Sequence, residues 1–319
     1  MTRMTLLSLL AGFLGMLAVP ASAQYPESTV TIVVGANPGA SGDLLARMLA
    51  EKLTEKWGRT VQVLNRSGGS GLLSAAEVAK ARPDGHTLFL SNDSPAINAV
   101  ALKNPSVNHR EAFVPISLLA LIDFKLVVHP SVPARTVADL VAIARKNPGK
   151  LSYGSSGTNT PHHLMAEMFL AAAGIKALHV PFRGTAASVA SVRGGHTDFT
   201  FSGFSGVDGM IEAGQLRALA STAAKRNSAT PDLPTIGETL KGYSAMSWWA
   251  MWVRNEVNPK IRDQVAREVR AIVRLPDVDR RLRQAGLDPV GSSPEELGAF
   301  LNDQIARLQK LPPGIFDGQ

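Results

Sequence analysis

The chain of 319 residues contains no cysteine. That absence excludes disulfide scaffolds, thiolate zinc sites, iron–sulfur clusters and a thiol nucleophile in one step. Charged residues make up 18% of the chain and aromatics 6%. The charged share lies below the roughly 25% of an average domain, yet an apolar share of 45% is too high for a disordered chain. Catalytic motifs are missing as well. Gly203-Phe204-Ser205-Gly206-Val207 and Gly68-Gly69-Ser70-Gly71-Leu72 each lack the last glycine of G-x-S-x-G. No phosphate-binding lysine loop, G-x-G-x-x-G or H-E-x-x-H occurs. His163 and Glu167 share a helix face, but two ligands are too few for a metal site. The remaining acidic residues form no recognisable dyad. Neither an enzyme, a metal nor a cofactor is proposed by these residues.

The first 23 residues are of a different character. Met1-Thr2-Arg3-Met4 is a short positive segment, Leu6 to Val19 is an apolar stretch of 14 residues, and Pro20-Ala21-Ser22-Ala23 follows. Fourteen residues at about 1.5 Å each cover about 21 Å, short of a hydrocarbon core of about 30 Å. The pattern reads as a signal peptide spanning 1–23, cleaved after Ala23, and so as an exported chain. No later stretch is long and apolar enough to span a membrane.

Lys and Arg exceed Asp and Glu, 33 against 26. The densest basic stretch, 254–310, carries eleven basic and nine acidic residues. Mixed signs at helical spacing mark solvated helix faces. A nucleic-acid surface would cluster its basic residues with aromatics between them, so no nucleic-acid partner is expected.

From Thr29 onward short β-branched runs alternate with helical periodicity, which is the pattern of an α/β protein. Strands are predicted at Thr29–Gly35, Thr60–Leu64 and Thr87–Ser91, then at Leu126–His129, Leu151–Gly154, Leu178–Val180, Phe199–Phe201 and Trp248–Val253. Helices are predicted between them and over Pro259–Arg274, Asp277–Gln284 and Pro294–Leu311. No flexible linker divides the chain, and its length suits two domains. Two lobes joined by continuous strands are expected, with crossings at Ile116–Ile122 and Leu216–Ser221. The expected division is 24–122 for lobe 1, 123–221 for lobe 2, 222–311 returning to lobe 1, and a loosely held tail at 312–319.

Small-residue loops stand at the strand-to-helix junctions. They are Gly35 to Asp43, Gly154 to Pro161, and Phe182-Arg183-Gly184-Thr185. Free N–H groups and the positive end of the dipole make a helix start an anion site. Glycine allows close approach, and Ser and Thr add donors. Each loop alone also fits an ordinary capped βα turn. In open α/β sheets ligands sit at the carboxyl ends of the strands, so three such loops in two lobes favour a small anion between them. Asp43 at a helix start fits a cap as well as a ligand contact. Arg183 fits a carboxylate fork or a solvent-facing cation. Trp248, Trp249 and Trp252 are expected to pack rather than to stack on a ligand.

These loops belong to an ordered set of short motifs. Tyr25-Pro26, Pro38-Gly39 to Asp43, Asn65-Arg66 with Gly68 and Gly71, and Pro83-Asp84-Gly85 come first. Asn147-Pro148-Gly149-Lys150, Gly154 to Gly157 with His163-Leu164, His179-Val180-Pro181 and Pro231 to Thr235 follow. In this the chain resembles the Bug family, the extracytoplasmic substrate-binding proteins of tripartite tricarboxylate transporters. The resemblance covers about Tyr25 to Leu308. It implies a type II periplasmic binding protein: two α/β lobes that close on a small carboxylate, working as a monomer with the membrane subunits of such a transporter. It further implies that Ser155, Ser156, Gly157, Thr158, Asn159 and Thr160 hold the carboxylate. Gly39, Ala40, Ser41 and Asp43 would face it from the first lobe, with Phe182, Arg183, Gly184, Asp198 and Ser202 completing the cleft. The chain departs from the family where the ligand is read. Gly42 replaces a threonine, Asn159-Thr160 a Gly-Ser pair, Phe182 a tyrosine, and Ser202-Gly203 an acidic or amide pair. A same-fold receptor feeding a signalling partner is one alternative, and a secreted hydrolase using Ser155 is another.

Overall fold

A computed structural model describes residues 25–203, 206–227, 230–312 and 314–316. The expected signal peptide lies outside these residues, and no helix among them is long and apolar enough to cross a membrane. The chain opens with β1 (Val30–Val34), α1 (Ser41–Trp57), β2 (Val61–Asn65), α2 (Leu72–Ala79), β3 (Thr87–Ser91), α3 (Ser94–Ala101), α4 (His109–Ala112) and β4 (Phe113–Ile122). There follow β5 (Lys125–Val128), α5 (Val137–Lys146), β6 (Ser152–Ser155), α6 (Pro161–Ala173), β7 (Leu178–Pro181), α7 (Thr185–Arg193), β8 (Phe199–Ser202), α8 (Val207–Glu212) and β9 (Arg217–Ser221). The remainder is α9 (Ile236–Thr239), β10 (Ser247–Arg254), α10 (Pro259–Val273), α11 (Pro276–Gln284), β11 (Asp288–Pro289) and α12 (Pro294–Leu308).

The strands form two sheets, ordered β11-β4-β10-β3-β1-β2 and β7-β6-β8-β5-β9. Within the first, β1 runs parallel to β2 and β3, while β10 runs antiparallel to β3 and β4. In the second, β6 is parallel to β7 and β8, and β5 is antiparallel to β8 and β9. Parallel strands need helical crossovers, which cover both faces and make the strands apolar throughout. Val30, Ile32, Val33 and Val34 of β1 are accordingly all buried. Local signals place the helix ends. Thr136 and Asp139 form a capping box on α5, Ser293 and Glu296 one on α12, and Pro161 occupies the first turn of α6.

The tryptophans of β10 alternate between the two faces of its sheet. Trp248 and Trp252 join Leu297 and Leu301 of α12 in one cluster, and Trp249 joins the main core with Met251 and Val253. Each large apolar side chain buried this way contributes about 1.5–3 kcal/mol. The C-terminal helices α10 and α12 pack on β4 of the first sheet.

The crossings differ in detail from the expectation. Ile116–Ile122 is the body of β4, and the passage to the second sheet is Asp123-Phe124. Leu216–Ser221 contains β9, an edge strand of the second sheet, because its buried residues pack inside that lobe. Nor does the chain return at 222. Thr222 N–H donates to the Phe124 carbonyl (2.8 Å), Ala245 N–H donates to the Thr222 carbonyl (2.9 Å), and the Tyr243 hydroxyl donates to the Met165 carbonyl (3.0 Å). The chain regains the first sheet only at Ser247. Of the expected tail, only 312 and 314–316 are among the described residues. Ile315 is buried against Ile97 of α3 and Leu164 of α6, one from each lobe.

Candidate functional site

Between the two sheets lies a cavity of about 740 Å³. Its wall is made where strands end. The segments after β1 (Gly35 to Ser41), β2 (Ser67 to Gly71), β3 (Asn92, Ser94), β6 (Ser156 to Thr158, Thr160), β7 (Phe182 to Ala186) and β8 (Gly203) all line it. The end of β4, the crossing residue Phe124 and the antiparallel start of β10 (Ser247, Trp249) complete it. Helices α1, α3, α6 and α7 begin on this wall, so their free N–H groups and positive dipole ends are gathered on one volume. Arg183 is the one formally charged residue among the described residues lining it, and no carboxylate lines it.

The first-lobe loop is held by its own side chains. Asp43 Oδ2 accepts from Gly39 N–H and from Arg47 Nε, both at 2.9 Å, and Oδ1 accepts from Asn65 Nδ2 at 2.9 Å. Burial works to raise this carboxyl's pKa, yet the Arg47 guanidinium, the Gly39 N–H and the Asn65 amide together hold it below the ordinary aspartate value. Asp43 therefore ties Gly39 and the end of β2 together and does not line the cavity. Behind it, Trp249 lies flat against Gly42, where even a methyl group would come within 2.3 Å of the indole. Trp249 thus both packs and lines the cavity, and its Nε1–H has no partner among the described residues.

The second-lobe loop is held by histidines. Ser155 Oγ, fully buried, meets His179 Nε2 at 2.6 Å and accepts from Gly157 N–H at 3.1 Å. His179 packs against Tyr153 and His163, and the Tyr153 hydroxyl donates to Glu167. Thr160 Oγ donates to the Gly157 carbonyl at 2.6 Å, closing the turn ahead of α6. His162 is placed with Nδ1 at 2.8 Å from Ser156 Oγ and Nε2 at 3.0 Å from Thr185 Oγ. Burial lowers its pKa to about 3, so the ring is neutral.

Of the residues expected at the site, Gly39, Ala40, Ser41, Ser156, Gly157, Thr158, Thr160, Phe182, Arg183 and Gly184 line the cavity. Asp43, Ser155, Asn159, Asp198 and Ser202 do not. Asp198 stands at the opposite end of β8, where its carboxylate accepts from Ser152 N–H (2.7 Å) and Ser152 Oγ (2.9 Å). A four-residue strand spans about 13 Å, which removes Asp198 from the cleft. Ser202 is buried at the cavity end of that strand, and Gly203 forms the wall there. Thr185, in the third of the expected loops, lines the cavity too, whereas the loops Ser67–Gly71 and Asn92–Ser94, with His162 and Trp249, were not expected. Both loops follow strands predicted from sequence, so the strand-end rule that found the other three would have found them.

The lobes touch across the cleft. Ser70 Oγ donates to the Thr158 carbonyl at 2.7 Å, and Asn37 Nδ2 donates to the Arg183 carbonyl at 3.4 Å. Ser70 takes a left-handed conformation (φ 51°, ψ 42°), which is sparsely populated for a residue with a side chain and is held here by Asn98 Nδ2 on its carbonyl (2.9 Å).

Two α/β lobes that meet over a cavity walled by strand-end loops have the architecture of a periplasmic solute-binding protein. The family described as tripartite tricarboxylate transporter family receptor (TctC) matches residues 45–312, and the chain belongs to it. A Pseudomonas sp. (strain P51) protein described as the UPF0065 protein in the tcbD–tcbE intergenic region is 31% identical over 90% of this chain and 86% of its own. Among solved structures, R. palustris Rpa4515 with adipate is 31% identical, with a TM-score of 0.86 over 90% of this chain and 96% of that one. The periplasmic binding protein BugD is 28% identical, with a TM-score of 0.83 over 90% of this chain and 97% of that one. Members of this family are periplasmic solute-binding receptors, the class expected from the sequence.

Proposed function

We propose that this protein captures a small carboxylate between its lobes and delivers it to the membrane subunits of a tripartite tricarboxylate-type transporter. The observation that carries the reading is the cavity wall itself. Four helix starts and Arg183 face one volume, and no acidic side chain lines it. Such a wall favours an anion, held by several N–H and O–H donors at once. The rest of the wall, with Ala36, Leu73, Ile122, Phe124, Phe182 and Trp249, suits an apolar ligand body. Rpa4515, solved with adipate, supports a ligand of this kind. Export with cleavage after Ala23 and action as a monomer are parts of the same proposal.

Ser155 and His179 form a hydrogen-bonded pair, the observation that favours a hydrolase. A nucleophile must reach its substrate. Ser155 is fully buried, tied to Gly157 and outside the cavity wall. The pair is read instead as a brace for the loop, and the protein as a receptor without catalytic activity.

A thermal-shift panel of mono-, di- and tricarboxylates, adipate included, tests the reading on the mature protein. A ligand at 100 times its Kd adds about 2.7 kcal/mol of stability. A panel in which no carboxylate raises Tm, at concentrations up to about 1 mM, or about 1,000 times a micromolar Kd, would sink the proposal.

A further inference from the structure

His162 stands between the two cavity hydroxyls of the second lobe, Ser156 at the end of β6 and Thr185 in the first turn of α7. It is buried, and its ring packs against Phe124 of the crossing, with centroids 4.7 Å apart. A neutral imidazole has one donor nitrogen and one acceptor nitrogen. The two hydroxyls therefore cannot be used alike. The one that accepts from the ring keeps its own proton for the cavity. The other gives its proton to the ring and turns only lone pairs to the ligand. The distances, 2.8 Å at Ser156 and 3.0 Å at Thr185, suit an O–H donor at the first and an N–H donor at the second.

We propose that His162, held as the Nε2–H tautomer between Ser156 and Thr185, is the positioning residue that makes Thr185 a proton donor to the bound carboxylate and Ser156 an acceptor. This rests on the carboxylate reading given above. Among the described residues the nearest charged group on the same wall is Arg183, two residues before Thr185, and burial alone accounts for the shift of the ring. Its neighbours there are the Ser156 and Thr185 hydroxyls and the Phe124 ring. Burial keeps the imidazole neutral, so the polarity of the pair is fixed across the pH range in which the carboxylate is charged. One consequence is selectivity, because a ligand with a hydrogen-bond donor beside its carboxylate can use both hydroxyls, while a purely accepting ligand can use one.

Nitrogen-15 NMR of histidine-labelled protein without ligand tests the tautomer directly. His162 should show a protonated Nε2 and an unprotonated Nδ1, unchanged between about pH 5 and pH 8, the range over which a free imidazole titrates. A protonated Nδ1, or a titrating ring, overturns the proposal. Calorimetry with adipate, or with the tightest acid of the panel, tests the consequence. Thr185→Ala should weaken binding by about 10–100-fold, the range for a hydrogen bond to a charged group, while Ser156→Ala changes it by less than about threefold. In a His162→Leu background both hydroxyls turn freely, and the two alanine effects should converge. Equal effects in the wild-type background, or a difference that survives His162→Leu, overturn the assignment. Failure of every acid to bind wild-type protein removes the carboxylate reading, while the spectrum still decides the tautomer.

Discussion

The two walls of the cleft are built by opposite means. On the first lobe, polar side chains are turned into the loops they belong to: Asp43 holds Gly39 and Asn65, and Asn92 accepts from Ser94 N–H. What that lobe offers a ligand is mainly backbone and small side chains in a fixed shape. On the second lobe, hydroxyls and a guanidinium stand in the wall, and the histidines beneath them set their hydrogen bonds. On the carboxylate reading, helix starts on both walls would meet the ligand, with the fixed shape coming from the first wall and the one guanidinium, Arg183, from the second. Breaking either wall should therefore leave a different signature.

The largest effect is expected from the second wall's backbone. Gly184 adopts φ 103°, ψ 166°, a region open essentially to glycine alone, and a Cβ there would fall 2.2 Å from Asn37 Nδ2 on the other lobe. Gly184→Val should abolish measurable binding by calorimetry, with the far-ultraviolet circular dichroism unchanged. Gly157→Val, at φ 128°, should do the same, whereas Thr160→Ala should only weaken binding, since its hydroxyl serves the turn. Affinity preserved in both valine variants would show that the loops do not hold the ligand.

Next in size is the first wall's tie. Asp43→Ala should lower stability by about 1.5–3 kcal/mol, the range for losing hydrogen bonds to a charged group, and weaken binding by about tenfold through the loosened Gly39 loop. The depressed pKa of Asp43 gives this contribution a pH signature. It is complete above the unfolded value of 3.8 and is lost as pH falls through the lower folded value. Urea titrations of wild type and Asp43→Ala should thus converge in acid, and a constant gap down to about pH 2 would refute the tie.

Asp93 gives the reverse sign under the same wall. Burial raises its carboxyl from 3.8 to about 7, against the Ser247 hydroxyl that donates to it at 2.7 Å. Between those values the folded chain binds more protons than the unfolded chain, so wild-type stability falls as pH rises. Asp93→Asn should be more stable than wild type by a gap that opens from pH 4 to 7 and is flat above, reaching roughly 3–8 °C in Tm. A gap independent of pH would mean that the carboxyl is not held protonated. The smallest effect belongs to the contact between the walls. Ser70→Ala, which removes the hydrogen bond to Thr158, should weaken ligand binding by about 2–10-fold with no loss of stability in the free protein.

Much of the architecture was legible because it is periodic. The β-branched runs and helical stripes placed nearly every long element to within a few residues, and Gly, Ser and Thr at strand ends marked three of the loops that line the cavity. What escaped depended on side-chain direction. Asp198 and Ser202 sit on one short strand, and no sequence pattern says which end of it meets the cleft. Asp43 and Ser155 have the chemistry of ligand contacts, but burial and nearby N–H groups turn them inward. His162 follows a proline at a helix start, with no signal that both its nitrogens reach cavity hydroxyls. The crossing expected at Leu216–Ser221 is an edge strand instead, since β9 and a crossing strand have the same composition.

The burial of Ile315 between Ile97 of α3 and Leu164 of α6 has a practical corollary for anyone handling this protein. Ile315 shares one apolar cluster with a helix of each lobe, so any shift of one lobe against the other would disturb that cluster. On the proposed closing mechanism, a bulky group fused beside Ile315 would change the balance of open and closed forms and so report an affinity that is partly its own. The same property makes the position useful: on that mechanism, a probe placed beside Ile315 would sense closure without standing in the cavity wall, of which Ile315 is no part.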